Sequence, residues 1–227
     1  TTSPADATFT VLRIRAQGTQ VANLEIRGGA TGVHIEGALE GEDGVTLEGV
    51  LLDEVVIEQQ KPAAVEDVAT PTYGIYAVDV EDLVLSTLEV REQLPAPGAG
   101  ATVSAVYIYD GKSITLDGLD IHDLQLDPGA ADSAMYGVLL DDLVSITVAN
   151  VGVWGVTSHQ GGPATGLRCN DCVKLTVDDL EVQGISSGVS ADAVGVQIRN
   201  LAVCAGLSGL HIWDISSADG DDTAELP

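Results

Sequence analysis

Four aspartates and one asparagine recur along this chain at near-constant intervals: Asp79, Asp110, Asp142, Asp171 and Asn200, spaced by 31, 32, 29 and 29 residues on subtraction, with Asp141 directly before Asp142. A row of carboxylates can bridge a hard cation, and calcium at Asp79, Asp110, Asp142 and Asp171 is one reading of it. The other is turn chemistry. Asp and Asn side chains bond their own backbone and tolerate left-handed geometry, and a need of that kind returns on every repeat. A second set is aromatic. All five tyrosines, Tyr73, Tyr76, Tyr107, Tyr109 and Tyr136, fall just ahead of these turns. Side chains of that type can stack on sugar rings or anchor a partner, although tyrosine also favours half-exposed strands for its own sake. Trp154 and Trp213 form a smaller aromatic pair, with His122 near them. The third set is Cys169-Asn-Asp-Cys172. Without a second such pair it lacks the makings of a zinc site, so both sulfurs read as core groups or as a disulfide that leaves Cys204 over.

The elements that must carry these residues follow from the stretch YGVLLDDLVSITVANVGVWGV, 136 to 156. Aligning on Gly137 brings Gly74, Ala105, Gly166 and Gly195 to one position. Val138 and Leu140 then match Ile75 and Ala77, Val106 and Ile108, Leu167 and Cys169, and Val196 and Ile198. This is the period-two alternation of a half-buried strand. After the aspartate turn, SITV at 145–148 aligns with SITL at 113–116, KLTV at 174–177 and DLVL at 82–85, giving a second strand. VGV, LDI and two copies of LEV give a third, followed by a loop of variable length. A unit with three short strands cannot bury its apolar face alone and must stack on its neighbours.

Such a repeat resembles a right-handed parallel β-helix of the pectate-lyase-like superfamily. The predicted fold is all-β, a solenoid of about seven three-strand coils. Residues 1–9 form an N-terminal extension, 10–217 the β-helix, and 218–227 an acidic tail. An insertion of about four residues is expected around Leu39 to Asp43, and one extra residue near Cys204. Alternation turns His34 and Glu36, Tyr76 and Val78, Tyr107 and Tyr109, Leu139 and Asp141, Arg168 and Asn170, and Gln197 and Arg199 outward. Strands about 4.8 Å apart merge these into one strip. Hydrolases of the superfamily place an Asp, an Asp-Asp pair and a basic residue in this region. The resemblance thereby implies Asp110, Asp141 and Asp142 as acids, with Arg168 or Arg199 holding substrate. The NTD, GHG and RIK motifs of that family are absent. Thr115, Thr147 and Thr176 read as an ordinary solvated ladder on the second strand.

Composition narrows the function classes. The chain has 227 residues, 45% of them hydrophobic, which suffices for one elongated domain with ample core. Thirty-five acidic against nine basic residues give a net charge of −26, which excludes a cationic footprint for nucleic acid or an anionic membrane. No apolar run reaches the roughly 18 residues of a membrane span. The opening TTSPADATF reads as a processed product or a segment of something longer, and its composition points to secretion. Neither end contains an amphipathic helix that could cap the exposed strands. The expectation is therefore a non-enzymatic structural or adhesive protein, extracellular or at the cell surface. It would assemble end to end or bind glycan through Tyr73, Tyr76, Tyr107, Tyr109, Tyr136, Trp154 and Trp213. Calcium is the one cofactor expected, if there is any. The rival expectation is a polysaccharide lyase or glycoside hydrolase working beside the first strand.

Overall fold

The computed structural model describes residues 9–37, 46–60, 71–93, 100–125, 133–158 and 161–217. Among them there is no helix, and thus none long and apolar enough to cross a membrane. The chain runs through β1 (Thr10–Ile14), β2 (Gln20–Arg27), β3 (Thr31–Glu36), β4 (Leu47–Glu48) and β5 (Leu51–Glu58). It continues with β6 (Thr72–Glu81), β7 (Val84–Ser86), β8 (Glu89–Arg91), β9 (Thr102–Asp117) and β10 (Asp120–Gln125). The last elements are β11 (Ala134–Thr157), β12 (Ala164–Asn170), β13 (Val173–Ser187), β14 (Ala193–Arg199) and β15 (Cys204–Ser217). All pairings are parallel, each strand lying on the strand one repeat away. Val138 sits between Val106 and Leu167, Ile146 between Ile114 and Leu175, and Val153 between Ile121 and Val182. These three triplets mark three faces of a parallel solenoid. Their inward residues form one continuous core.

Single residues in left-handed conformation turn the chain from face to face. One column is Asp79, Asp110, Asp142, Asp171 and Asn200, with φ between 50° and 54°. A second contains Asp82, Ser113, Ser145 and Lys174, a third Glu54, Thr87, Asn150 and Asp179, and a fourth Gln59, Glu92, Asp123 and Asp214. This conformation strains most side chains by about 1–2 kcal/mol, but Asp and Asn recover part of that through local hydrogen bonds. Backbone amides at these corners bond to the neighbouring turn of the solenoid, as Thr87 N–H does to Asp117 O at 2.9 Å.

The glycine used to align the repeats has a steric cause. A Cβ on Gly137 would lie 2.4 Å from Val153 Cγ1 and 2.6 Å from Gly166 O, because the first face meets the third at that corner. The extra residue expected near Cys204 is present as a register shift opposite Leu175 and Thr176. The insertion around Leu39 to Asp43 lies outside the described residues, as do the tail 218–227 and residues 1–8 of the extension.

The count of coils needs correction. The solenoid amounts to about five closed turns rather than about seven. Seven strands do stack on the first face, from β1 to β14. However, among the described residues the first and last rungs have a neighbour on one side only, and their inward residues do not all become interior.

Candidate functional site

On the first face, strands β3, β6, β9, β11, β12 and β14 align their outward side chains into two columns. One is His34, Tyr76, Tyr107, Leu139, Arg168 and Gln197. The other is Glu36, Val78, Tyr109, Asp141, Asn170 and Arg199. These are the outward pairs that alternation predicts. Three of the tyrosines form a cluster. Tyr73, Tyr76 and Tyr107 have ring centroids 5.1 to 5.6 Å apart, and His34 lies 5.0 Å from Tyr76. Burial is the main cause of raised phenol pKa values, which stand at about 12 for Tyr107 and higher still for Tyr73. These hydroxyls therefore stay neutral and can donate hydrogen bonds at any physiological pH. Tyr109 is exposed, whereas Tyr136 is buried.

Arg168 is already engaged. Its Nη1 donates to the Tyr136 hydroxyl at 3.0 Å, its Nε donates to Asn170 Oδ1 at 3.0 Å, and its guanidinium carbon lies 5.6 Å from the Tyr136 ring centre. Such contacts fix the side chain across the strip instead of leaving it free in solvent. Arg199 is exposed on the last rung. Asp110 has a raised pKa, from desolvation first and then from a hydrogen bond and charge repulsion with Asp79. Asp141 is also raised, again by desolvation first, with Asp171 and Asp142 adding to it and Arg168 opposing. Asp142 and Asp171 sit in the left-handed turn column, and Asp171 accepts a hydrogen bond from Asn200 Nδ2 at 3.0 Å. Among the described residues, no group of three or more His, Cys, Asp or Glu side chains is arranged to hold a metal ion.

The third face carries a different column: Arg27, Glu58, Arg91, His122, Trp154, Gln183 and Trp213, one from each rung. Glu58 is buried, and both Nε and Nη2 of Arg91 donate to its Oε2, at 2.8 and 2.7 Å, while Arg27 approaches Oε1 at 2.5 Å. A carboxylate removed from water in this way is held only by close, hydrogen-bonded cations. The ladder continues through His122. Its ring bonds Asp123 at 2.9 Å and Glu89 at 3.2 Å, and stacks on Trp154 with a centroid separation of 6.2 Å. His122 thus lies beside Trp154 as expected. Burial lowers the His122 pKa, but the bonds to the two carboxylates outweigh that, and the net shift is upward. The Trp154 indole lies over Gly152, where a Cβ would come within 1.9 Å of Cζ3. Trp154, Asp120, Asn150 and Glu181 help to line an open cleft of about 310 Å³, and none of Asp110, Asp141, Asp142, Arg168 or Arg199 reaches it.

Cys169 and Cys172 are bonded to each other, and both are fully buried. Their inward positions alone leave a disulfide and two core thiols equally open. The Glu58 ladder escaped sequence reasoning. Its signal is present as Arg27, Glu58 and Arg91 at intervals near one repeat, but it appears only when the third strands are aligned on their outward residues.

No protein-family model matches the chain, and no significant match exists among curated proteins or solved structures.

Proposed function

We propose that this chain is a non-enzymatic structural or adhesive solenoid of the extracellular space or cell surface, which works by associating end to end. The observation that carries this reading is the state of the last rung. Leu207, Leu210 and Ile212 occupy the columns of Val177, Leu180 and Val182, which are 0–1% exposed, yet they are themselves 46%, 38% and 41% exposed. At the other end Leu24, in the column of the buried Val55, is 37% exposed, and Val11 and Phe9 are exposed as well. Core-type side chains left open at a sheet edge form an association surface, since the edge strands also present unpaired backbone groups. The Cys169–Cys172 disulfide supports an oxidising compartment, in keeping with secretion.

The tyrosine strip supports adhesion to polysaccharide, with Tyr109 and the hydroxyls of Tyr73, Tyr76 and Tyr107 as contact groups. A right-handed, pectate-lyase-like architecture is the finer fold reading, and the three-strand repeat supports it. Calcium enters as a counter-ion for stacked carboxylates such as Asp79 and Asp110, whose mutual repulsion it would relieve. The rival reading, hydrolysis or elimination at Asp110, Asp141 and Asp142, draws support from the two raised acids. Against it stand the engagement of Arg168 by Tyr136 and Asn170 and a cleft that lies on another face. Light scattering after size exclusion, with negative-stain imaging, tests the proposal in the presence and absence of millimolar calcium. Rods that lengthen with protein concentration are expected. A monomer under all conditions would refute it, and turnover of an acidic polysaccharide that is lost in Asp142→Ala would establish the rival.

A further inference from the structure

We infer that the partner at each open end is a second copy of this chain, stacked head to tail in the solenoid's own register, so that its first rung lies on the last rung of the copy before it. This rests on the end-to-end reading above and adds its polarity and its contacts. Extending the columns by one step places Leu12 on Val196, Ile14 on Ile198, Val21 on Leu207, Leu24 on Leu210 and Ile26 on Ile212. All five pairs are aliphatic; Leu24, Leu207, Leu210 and Ile212, exposed in the single chain, become interior, while Ile14 and Ile26 are already buried there. Outside the core, Arg27 falls on Trp213 and Glu25 on His211, a cation over an indole and an acid beside an imidazole. Arg15 falling beside Arg199 is the one like-charge contact in the set, and Glu36 already binds Arg15.

Geometry selects this polarity over its alternatives. A head-to-tail copy circulates in the same sense, so every strand meets its neighbour in parallel and each face continues onto the same face. A head-to-head or tail-to-tail pair circulates in opposite senses across the interface. Its strands would meet antiparallel, and the order of the three faces would be reversed. Neither the apolar columns nor the corner turns would then coincide.

Two end-blocked chains test the assignment. Leu24→Glu places a charge in the first rung and Leu210→Glu places one in the last, at positions that are 37% and 38% exposed. Head-to-tail stacking predicts that each variant alone is monomeric by light scattering and that an equimolar mixture forms dimers and nothing longer. Dimers from Leu210→Glu alone would show head-to-head contact, and dimers from Leu24→Glu alone tail-to-tail contact. Either would overturn the polarity while leaving end-to-end association standing. A wild-type chain that stays monomeric would instead overturn the function on which the inference rests. For the register, Trp213→Ala is expected to weaken wild-type association about tenfold. An unchanged association constant would remove Arg27 and Trp213 from the contact. Circular dichroism of each variant confirms that the solenoid is intact.

Discussion

Leu180 and Leu210 stand one rung apart in the same column, with the same residue type and the same inward direction, yet the first is fully buried and the second is 38% exposed. The pair Val182 and Ile212 repeats the contrast. Local sequence does not distinguish them. At this end of the stack, what separates core from surface is whether another rung lies on top; on the first rung Leu24 is open in the same way, while Ile14 and Ile26 are buried. Among the described residues, each internal rung is covered by a rung on both sides and each terminal rung on one. The terminal rungs are therefore both the least stabilised parts of the chain and the places where it has the most to gain from contact.

The sharpest test of this contrast removes the same atoms from both sites. Leu180→Ala empties a closed interior position and is expected to cost about 3 kcal/mol in denaturant unfolding, counting transfer and cavity terms. Leu210→Ala in dilute, monomeric protein is expected to cost less than about 1 kcal/mol, because much of that side chain already faces water. Equal losses would mean that the last rung is covered, and the open-end surface would disappear with it. Under conditions where chains associate, Leu210→Ala should lose more than it does when dilute, since stacking turns it into an interior residue.

A smaller effect of the same form is expected from adding an atom instead of removing several. Gly137→Ala forces a Cβ against Val153 and the Gly166 carbonyl, and backbone on that side cannot move aside. About 2 kcal/mol of destabilisation is expected from such overpacking. Gly206 lies in the terminal strand β15 with no atom within 4 Å of an added Cβ, and Gly206→Ala should stay within about 0.5 kcal/mol of wild type. Thermal unfolding of the two variants side by side decides it. A costly Gly206→Ala would show a partner or cover at that end.

The legible part of this sequence is the part in which each rung imposes the same local demand. The Gly137 column reads clearly because only a very small side chain fits where two faces meet, and even Ala105 marks the place. The aspartate row reads clearly because a left-handed corner selects Asp or Asn on every turn. That same regularity stacks the carboxylates on which the calcium proposal rests. What could not be read depends on relations between rungs. Arg27, Glu58 and Arg91 change charge from rung to rung, so a repeat search does not align them as one type, yet stacking makes them one ion-pair ladder. The sulfurs of Cys169 and Cys172 fill the same inward columns as Leu140 and Leu143, so nothing in the pattern tells a bonded pair from packed thiols. The number of closed turns belongs to the same group, since counting repeats cannot tell which are covered on both sides.

The weakest expected effect also concerns neighbours in a column. Asp110 stacks on Asp79, and desolvation together with that carboxylate raises its pKa above the ordinary 3.8, as burial also does for Asp141. In the pH range between the unfolded value and the raised folded one, the native chain holds protons that the unfolded chain has lost. Stability therefore falls as pH rises through that range and grows as pH is lowered from neutral into it, the reverse of an ion-paired carboxylate. The net charge of −26 acts in the same direction. The midpoint of thermal unfolding should thus be higher at a pH just above the ordinary carboxylate value than at pH 7. Asp110→Asn should raise the pH 7 midpoint and flatten the difference. Asp214→Asn, on the open rung with Gly184 as its column neighbour, removes one charge without relieving a stacked carboxylate and should flatten it less. Equal flattening by the two variants would show that overall charge governs the response. A larger change from Asp110→Asn would show that stacking itself sets the cost of each acid, as it sets the burial of each leucine.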